Sequence, residues 1–251
     1  MGSAGEISAI PVPGIPEVAE GADLGALVAE RAVLRDDDVL VISQKVVSKS
    51  EGRVRRLSSV LPGSEARRLA VHLGKEPALV QLILDESRSV IRAERSVLIT
   101  ETSHGFVCAN AGIDSSNLPE DGTVALLPED PDASARRIRA EVRAAAGVTP
   151  GVIVSDSFGR AWRLGQSEVA IGIAGLAPLD DWRGRADAGG RELTATVIAV
   201  ADEAAAAADL ARGKHTREPA VVVRGLEAYV LPDDGPGAAA LVRPWADDLF
   251  R

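Results

Sequence analysis

The sequence is poor in cysteine. Cys108 is its single thiol, so no disulfide can form within the chain and a small disulfide-stapled scaffold is excluded. A reducing compartment, the cytoplasm, is the expectation. Long apolar runs are missing too: none approaches the ~20 residues of a membrane-spanning helix. Met1 to Ile10 lacks the basic start and apolar stretch of an export signal, so neither a membrane nor secretion enters the reading. Aromatic residues make up only 3% of the chain, too few for platforms that stack bases. Basic residues are in the minority, 28 against 37 acidic, and the formal net charge of -9 repels nucleic acid. Small phosphorylated molecules stay compatible with that field, because a divalent cation reverses its local sign.

The common catalytic signatures are absent as well. There is no GxxxxGK[ST], no GxGxxG after a strand, no HExxH and no CxxC, which argues against a P-loop enzyme, a Rossmann dehydrogenase and a zinc protease. His72, His104 and His215 are scattered without the spacing of metal ligands.

What is present is an irregular alternation of strand-like and helix-like segments over 251 residues, long enough to bury a large core. Asp38 to Ser43 (DVLVIS) reads as a buried strand and Ser64 to Leu73 as a helix. Ser96 to Thr100, Gly105 to Asn110, Thr123 to Leu127 and Val152 to Ser155 read as short strands. Ala133 to Ala146, entered through Pro131 and Asp132 and closed by Gly147, reads as a helix, as does alanine-rich Thr194 to Leu210. Val221 to Arg224 and Tyr229 to Leu231 close the chain with strands. The expected class is α+β, a mixed α/β arrangement forming one unit over residues 1–251, with a small subdomain around 180–220 near the loop GRADAGG.

Two segments share a pattern with chemical content. FVCANAGID ends at Asp114 and is followed by Ser115 and Ser116; VIVSD ends at Asp156 and is followed by Ser157. Strands that ended at one sheet edge would bring two carboxylates and several hydroxyls together, an oxygen donor set suited to magnesium or manganese. Each aspartate equally suits a turn or a helix cap, as does Asn117. SDSFGRAWRLGQ sets Arg160, Trp162 and Arg163 among glycines, a combination that fits anionic or flat ligands but also a surface loop. In QKVVSKSEGR, Lys45 and Lys49 share one helical face, where they serve either as point charges for phosphates or as a solvated surface. GIPEV alone is a turn. Cys108, mid-strand among apolar residues, reads as packing.

Taken in order, GIPEV, VISQKVVSKSEGR, HGFVCANAGIDSSN, SDSFGRAWRLGQSEVAIGIAG, ADEAAAAADLARGK and VVVRG resemble the coenzyme F420-0:L-glutamate ligase family, including the amino-terminal domain of the actinobacterial two-domain ligases, from about Ile10 to Phe250. The resemblance implies the family's own α+β fold, with mixed sheets and an alanine-rich helix, and a homodimer. It implies GTP-dependent addition of L-glutamate to F420-0 through an acyl phosphate, with divalent metal at two sites and potassium as a further ion. By that resemblance Asp114, Asp156 and Lys49 are catalytic; Asp114 and Asp156 hold one metal and Ser157, where relatives often carry threonine, helps hold the other. Ile15, Pro16, Glu17, Val18, Gln44, Lys49 and Asn117 match the GTP site, Gln44 replacing a serine of some relatives; residues 211–218 match a loop beside it without a residue-level assignment. A ligase of the same scaffold with another acceptor, or a noncatalytic nucleotide- or deazaflavin-binding module, are the alternatives.

Overall fold

Val39 and Val41 face one way and Leu40 and Ile42 the other, and all four are buried. The strand that carries them is therefore covered on both sides, which is what its unbroken apolar run demands. The computed structural model describes residues 5–115, 120–213 and 216–248. In chain order its elements are β1 (Ser8–Pro11), α1 (Leu24–Ala29), β2 (Val39–Ser43), α2 (Gln44–Ser50), β3 (Val54–Arg56), α3 (Ser64–Leu73), α4 (Pro77–Asp85), β4 (Ser87–Glu94), β5 (Val97–Thr102), β6 (Val107–Ala109) and β7 (Thr123–Ala125). They continue with α5 (Pro131–Ala146), β8 (Gly151–Arg160), β9 (Arg163–Ala174), β10 (Asp180–Asp181), β11 (Val197–Ile198), α6 (Val200–Ala211) and β12 (Ala220–Arg224). The architecture is α+β, as the segment pattern led us to expect.

The central sheet has the order β1-β12-β2-β8-β9, with β2 and β8 parallel and every other pair antiparallel. On one face lies α6, whose Ala201, Ala204, Ala205 and Ala208 pack on Val39, Val41, Ile153 and Val221. Small side chains let that helix approach closely. On the other face α1 and α5 bring Leu24, Val28, Ile138 and Val142 onto Leu40, Ile42, Val154 and Val222. Each such side chain contributes about 1.5–3 kcal/mol by leaving water. A smaller sheet, β4-β5-β6, carries α3 and α4 through Leu69, Leu73, Val80, Ile83 and Leu98. The β3-β7 pair lies between the two layers in sequence and is joined to Asp114 through a bridge at Ala125.

Local signals explain where α5 starts and stops. The Asp130 carboxylate accepts a hydrogen bond from the Ala133 amide at 2.9 Å, Pro131 occupies the first turn and Gly147 ends the helix at φ 74°. Its start also presses on β9: a Cβ built on Gly172 would stand 2.1 Å from the Pro131 carbonyl oxygen, so only glycine fits there.

Two elements differ from the sequence reading. The alanine-rich helix begins at Val200, and the preceding Val197–Ile198 pairs with β10 instead. The β-branched run Thr194, Thr196, Val197 and Ile198 favours extended backbone over helix. Around Tyr229 the backbone turns as a 3-10 helix, Glu227–Tyr229, leaving a single bridge between Val230 and Leu176 in place of a strand. The sequence reading also places nothing over β1, α1, β3, α4, β4, β9 or β10. Within α4 the run Leu79 to Leu84 is too short and too evenly apolar for periodicity to declare it.

Candidate functional site

The site is built where β2 and β8 lie side by side and each hands the chain on. Ser43 pairs with Ser155, and β2 passes directly into α2, placing Gln44, Lys45 and Lys49 beside the second half of β8. Gln44 is buried, and its side-chain amide donates to Ser48 Oγ at 2.6 Å and to the Leu126 carbonyl at 2.9 Å. Both of its donors are thereby engaged within the protein, so Gln44 pins α2 to the segment after β7. A ligand meets at most its carbonyl oxygen.

Lys45 points at Asp114, with Nζ 2.8 Å from Oδ2. Asp114 does not end a strand of the small sheet. It follows a turn in which Asn110 and Ala111 take φ 54°, and its own backbone bridges to Ala125. Lys49, one turn further along α2, reaches the loop between β1 and α1, where Nζ lies 2.6 Å from Glu17 Oε1. In that loop Pro16 and Glu17 are exposed and Ile15 is half-buried. Val18 is buried in the main core, so its side chain is committed to packing.

Asp156 lies in the middle of β8, beyond the end expected at Ser155, because β8 continues as a hairpin with β9 out to Arg160. One β9 residue, Ile171, is passed over between the pairs Val154–Gly172 and Ser155–Ala170. That bulge sits just before Asp156 and sharpens the twist there. Strand alternation sends Asp156 to the face shared with Val154 and Phe158, and Ser155 and Ser157 to the face of α6. On that second face the Ser157 hydroxyl donates to Glu168 Oε1 at 2.5 Å, the residue directly opposite in the hairpin. Arg212, at the end of α6, closes the group: Nη2 lies 2.8 Å from Glu168 Oε2 and 3.3 Å from Ser155 Oγ, while Nη1 donates to the Pro219 carbonyl at 3.3 Å.

The electrostatics centre on Asp156, whose carboxyl is pushed up to about 7. Loss of water around it is the main cause, followed by the negative charge of Glu168. Asp114 adds to the rise, and the Ser157 amide and Lys45 oppose it. Cys108 is buried nearby, and its thiol is pushed up to about 12 by desolvation and by Asp156. A thiol so held is no nucleophile.

Asp114 and Asp156, read in the sequence as ends of two strands at one edge, come instead from a bridge and a strand interior, yet lie close enough for their charges to act on one another. Ser157 follows Asp156 on β8 and turns to the opposite face of the sheet. The tip of that hairpin is another matter: Arg160 is four residues beyond Asp156, about 13 Å along a strand, and donates to the Leu164 carbonyl. Trp162 and Leu164 stand 81% and 97% exposed. Within this chain the tip arginines do not reach the carboxylates. Asn117, Ser116 and the middle of the 211–218 loop lie outside the described residues. Sequence reasoning missed Glu168 and Arg212, and set Lys45 aside in favour of Lys49. The available signal was register: a hairpin drawn through SDSFGRAWRLGQSE brings Ser157 opposite Glu168.

Among the described residues no three His, Cys, Asp or Glu side chains form a ready-made metal cage, and no helix is long and apolar enough to cross a membrane. The fold and site define an α+β protein in which Asp114, Asp156, Ser157 and Glu168 gather where α2 meets the β8–β9 hairpin, with Lys45 paired to Asp114 and Arg212 to Glu168. The sequence profile of the F420-0:Gamma-glutamyl ligase family matches residues 14–225, and the chain belongs to that family. It is 44% identical to the coenzyme F420:L-glutamate ligase of Methanothermobacter thermautotrophicus over 98% of this chain and 99% of the relative. It is 45% identical to the protein of the same name from Haloarcula marismortui, over 96% of this chain and 94% of the relative.

Proposed function

We propose that the chain is a GTP-dependent ligase that adds L-glutamate to coenzyme F420-0 through an amide bond. The observation that carries this reading is the convergence of Asp114 and Asp156 beside Lys45, in a chain that aligns over nearly its whole length with relatives named for that ligation. A free carboxylate does not acylate an amine, because its leaving group would be oxide. Transfer of the GTP γ-phosphoryl group to a carboxylate oxygen of F420-0 releases GDP and yields an acyl phosphate. The glutamate amine then attacks the acyl carbon, phosphate leaves with the C–O bonding pair, and the amine proton passes to solvent.

Phosphoryl transfer of this kind rests on positioning and on charge neutralisation. Asp114 and Asp156 would hold one divalent metal, Mg2+ or Mn2+, and Ser157 would contribute to a second; such ions neutralise phosphate oxygens. The donor set fits: it is all oxygen, and the carboxylates carry charge that a cation offsets. Two carboxylates and a hydroxyl leave most coordination positions to water and phosphate, as magnesium prefers. Lys45 orients Asp114 through its ion pair. Lys49 faces the Ile15–Val18 loop, where its ammonium meets a phosphate in competition with Glu17.

The test is mass spectrometry of purified protein incubated with F420-0, L-glutamate and Mg2+. A product heavier by one glutamyl residue, formed with GTP and released with stoichiometric GDP and phosphate, is expected. Absence of product, or equal yield when GTP is omitted, overturns the reading.

A further inference from the structure

Glu168 is 4% exposed and the Arg212 side chain 8%. A buried ion pair is weak evidence for stability, since dehydrating both charges consumes most of their attraction; in some proteins such pairs serve to fix a conformation instead. Here the geometry is specific. The Ser157 hydroxyl gives its proton to Glu168, so toward anything else it meets that oxygen offers acceptor capacity alone, the state in which a hydroxyl binds a cation. Glu168 is in turn held by Arg212, whose fork also grips Ser155 and the Pro219 carbonyl. One guanidinium therefore joins the hairpin to both ends of the connection between α6 and β12.

We propose that Glu168, fixed by Arg212, is a positioning residue that commits the Ser157 hydroxyl to act as an acceptor for a divalent cation. This rests on the reading of Ser157 as a metal ligand given above.

Glu168→Asp tests it, because the charge stays while the carboxylate withdraws by one methylene from Ser157 and Arg212. Mn2+ is titrated into the full chain with GTP present and with F420-0 and glutamate left out, so no turnover enters the readout. The Mn2+ site that Ser157→Ala weakens is expected to lose about tenfold in affinity, the usual effect of removing a group that orients a ligand, while the other site is unchanged. In steady state kcat falls and the KM for glutamate holds. Glu168→Asp added to Ser157→Ala is expected to cost nothing further, since Glu168 acts through that hydroxyl.

Normal Mn2+ binding by Glu168→Asp alongside impaired Ser157→Ala overturns the positioning role, as does additivity of the two. If Ser157→Ala itself binds both ions normally, the ligand reading fails and this inference falls with it. Should Glu168→Asp fail to fold by circular dichroism, Arg212→Lys reads the same quantity with both charges kept. A lowered affinity at the site that Ser157→Ala weakens then supports the proposal and an unchanged one overturns it.

Discussion

Lys45 Nζ stands 2.8 Å from Asp114 Oδ2, tying the first turn of α2 to a residue that reaches it from the far side of β7. The pair is only partly exposed, so its attraction is screened less than that of a surface pair. Lys45→Met keeps the stem and removes the charge, leaving Asp114 without that partner. We expect kcat/KM for ligation to fall by about thirtyfold or more, equivalent to ~2 kcal/mol. Activity within twofold of the unmodified chain rejects the assignment.

Lys49 should behave differently. Its partner Glu17 is exposed while the Lys49 side chain is only 10% exposed, so the charge pair contributes little to stability and the buried stem contributes packing. Lys49→Met, which keeps the buried stem, is expected to leave the melting temperature nearly unchanged and to raise the KM for GTP. An unchanged KM and kcat would leave Lys49 a partner of Glu17 alone.

Asp156 gives a pH prediction for the metal-free protein. Its carboxyl is raised from its ordinary value to about 7, so between roughly pH 4 and pH 7 the folded chain keeps a proton that the unfolded chain releases. Stability contributed at this position is present at low pH and is lost as pH rises through that window. Asp156→Asn removes the titration. In chelator-treated protein the variant is expected to melt higher than the unmodified chain at about pH 8, by several degrees given roughly 2–4 °C per kcal/mol at this size. The advantage should shrink toward about pH 5, while ligation is lost throughout. A variant that melts lower at about pH 8 contradicts the dehydration argument.

Gly25 is the point where α1 touches α5. A Cβ there would lie 2.4 Å from Glu141 Cβ and 2.6 Å from the Val142 nitrogen. The helix backbone cannot withdraw, so Gly25→Ala is expected to destabilise by about 1–3 kcal/mol, as overpacking does. Chemical unfolding measures it, and a neutral result would mean that α1 shifts freely.

Cys108 is buried with its thiol pushed up to about 12. Thiol-directed reagents should therefore label it only as fast as the chain unfolds, and Cys108→Ala should retain ligation. Rapid labelling of the folded protein at neutral pH contradicts this.

The sequence was informative wherever one face or one strand settles an assignment. DVLVIS declares a buried strand because both faces are apolar, and Asp130 to Gly147 declares α5 through its cap, proline and terminal glycine. The carboxylates were visible as candidates, since an aspartate after an apolar run stands out. Their companions were not. Glu168 belongs to the site through hairpin register, and that register depends on a bulge at Ile171 that no local composition announces. Arg212 belongs through the place where α6 ends, and helix ends are set by what the next segment must reach. The continuation of β8 past Ser155 was hidden for a related reason: Asp156, Ser157 and Gly159 are poor strand formers, kept extended by pairing with β9.

That continuation makes β8 a cantilever. Gly151 to Ser155 is clamped, buried on both faces between α5 and α6, whereas Gly159 and Arg160, beyond the core-packed Phe158, overhang toward a tip bearing the exposed Trp162 and Leu164. Asp156 and Ser157 sit at the root of the overhang, where a load applied at the tip produces the greatest bending moment and the least travel. Whatever leans on the far end of the hairpin thus acts on the carboxylate and the hydroxyl as torque rather than displacement. Amide exchange should follow the same gradient, slow through Val154 and faster from Gly159 outward.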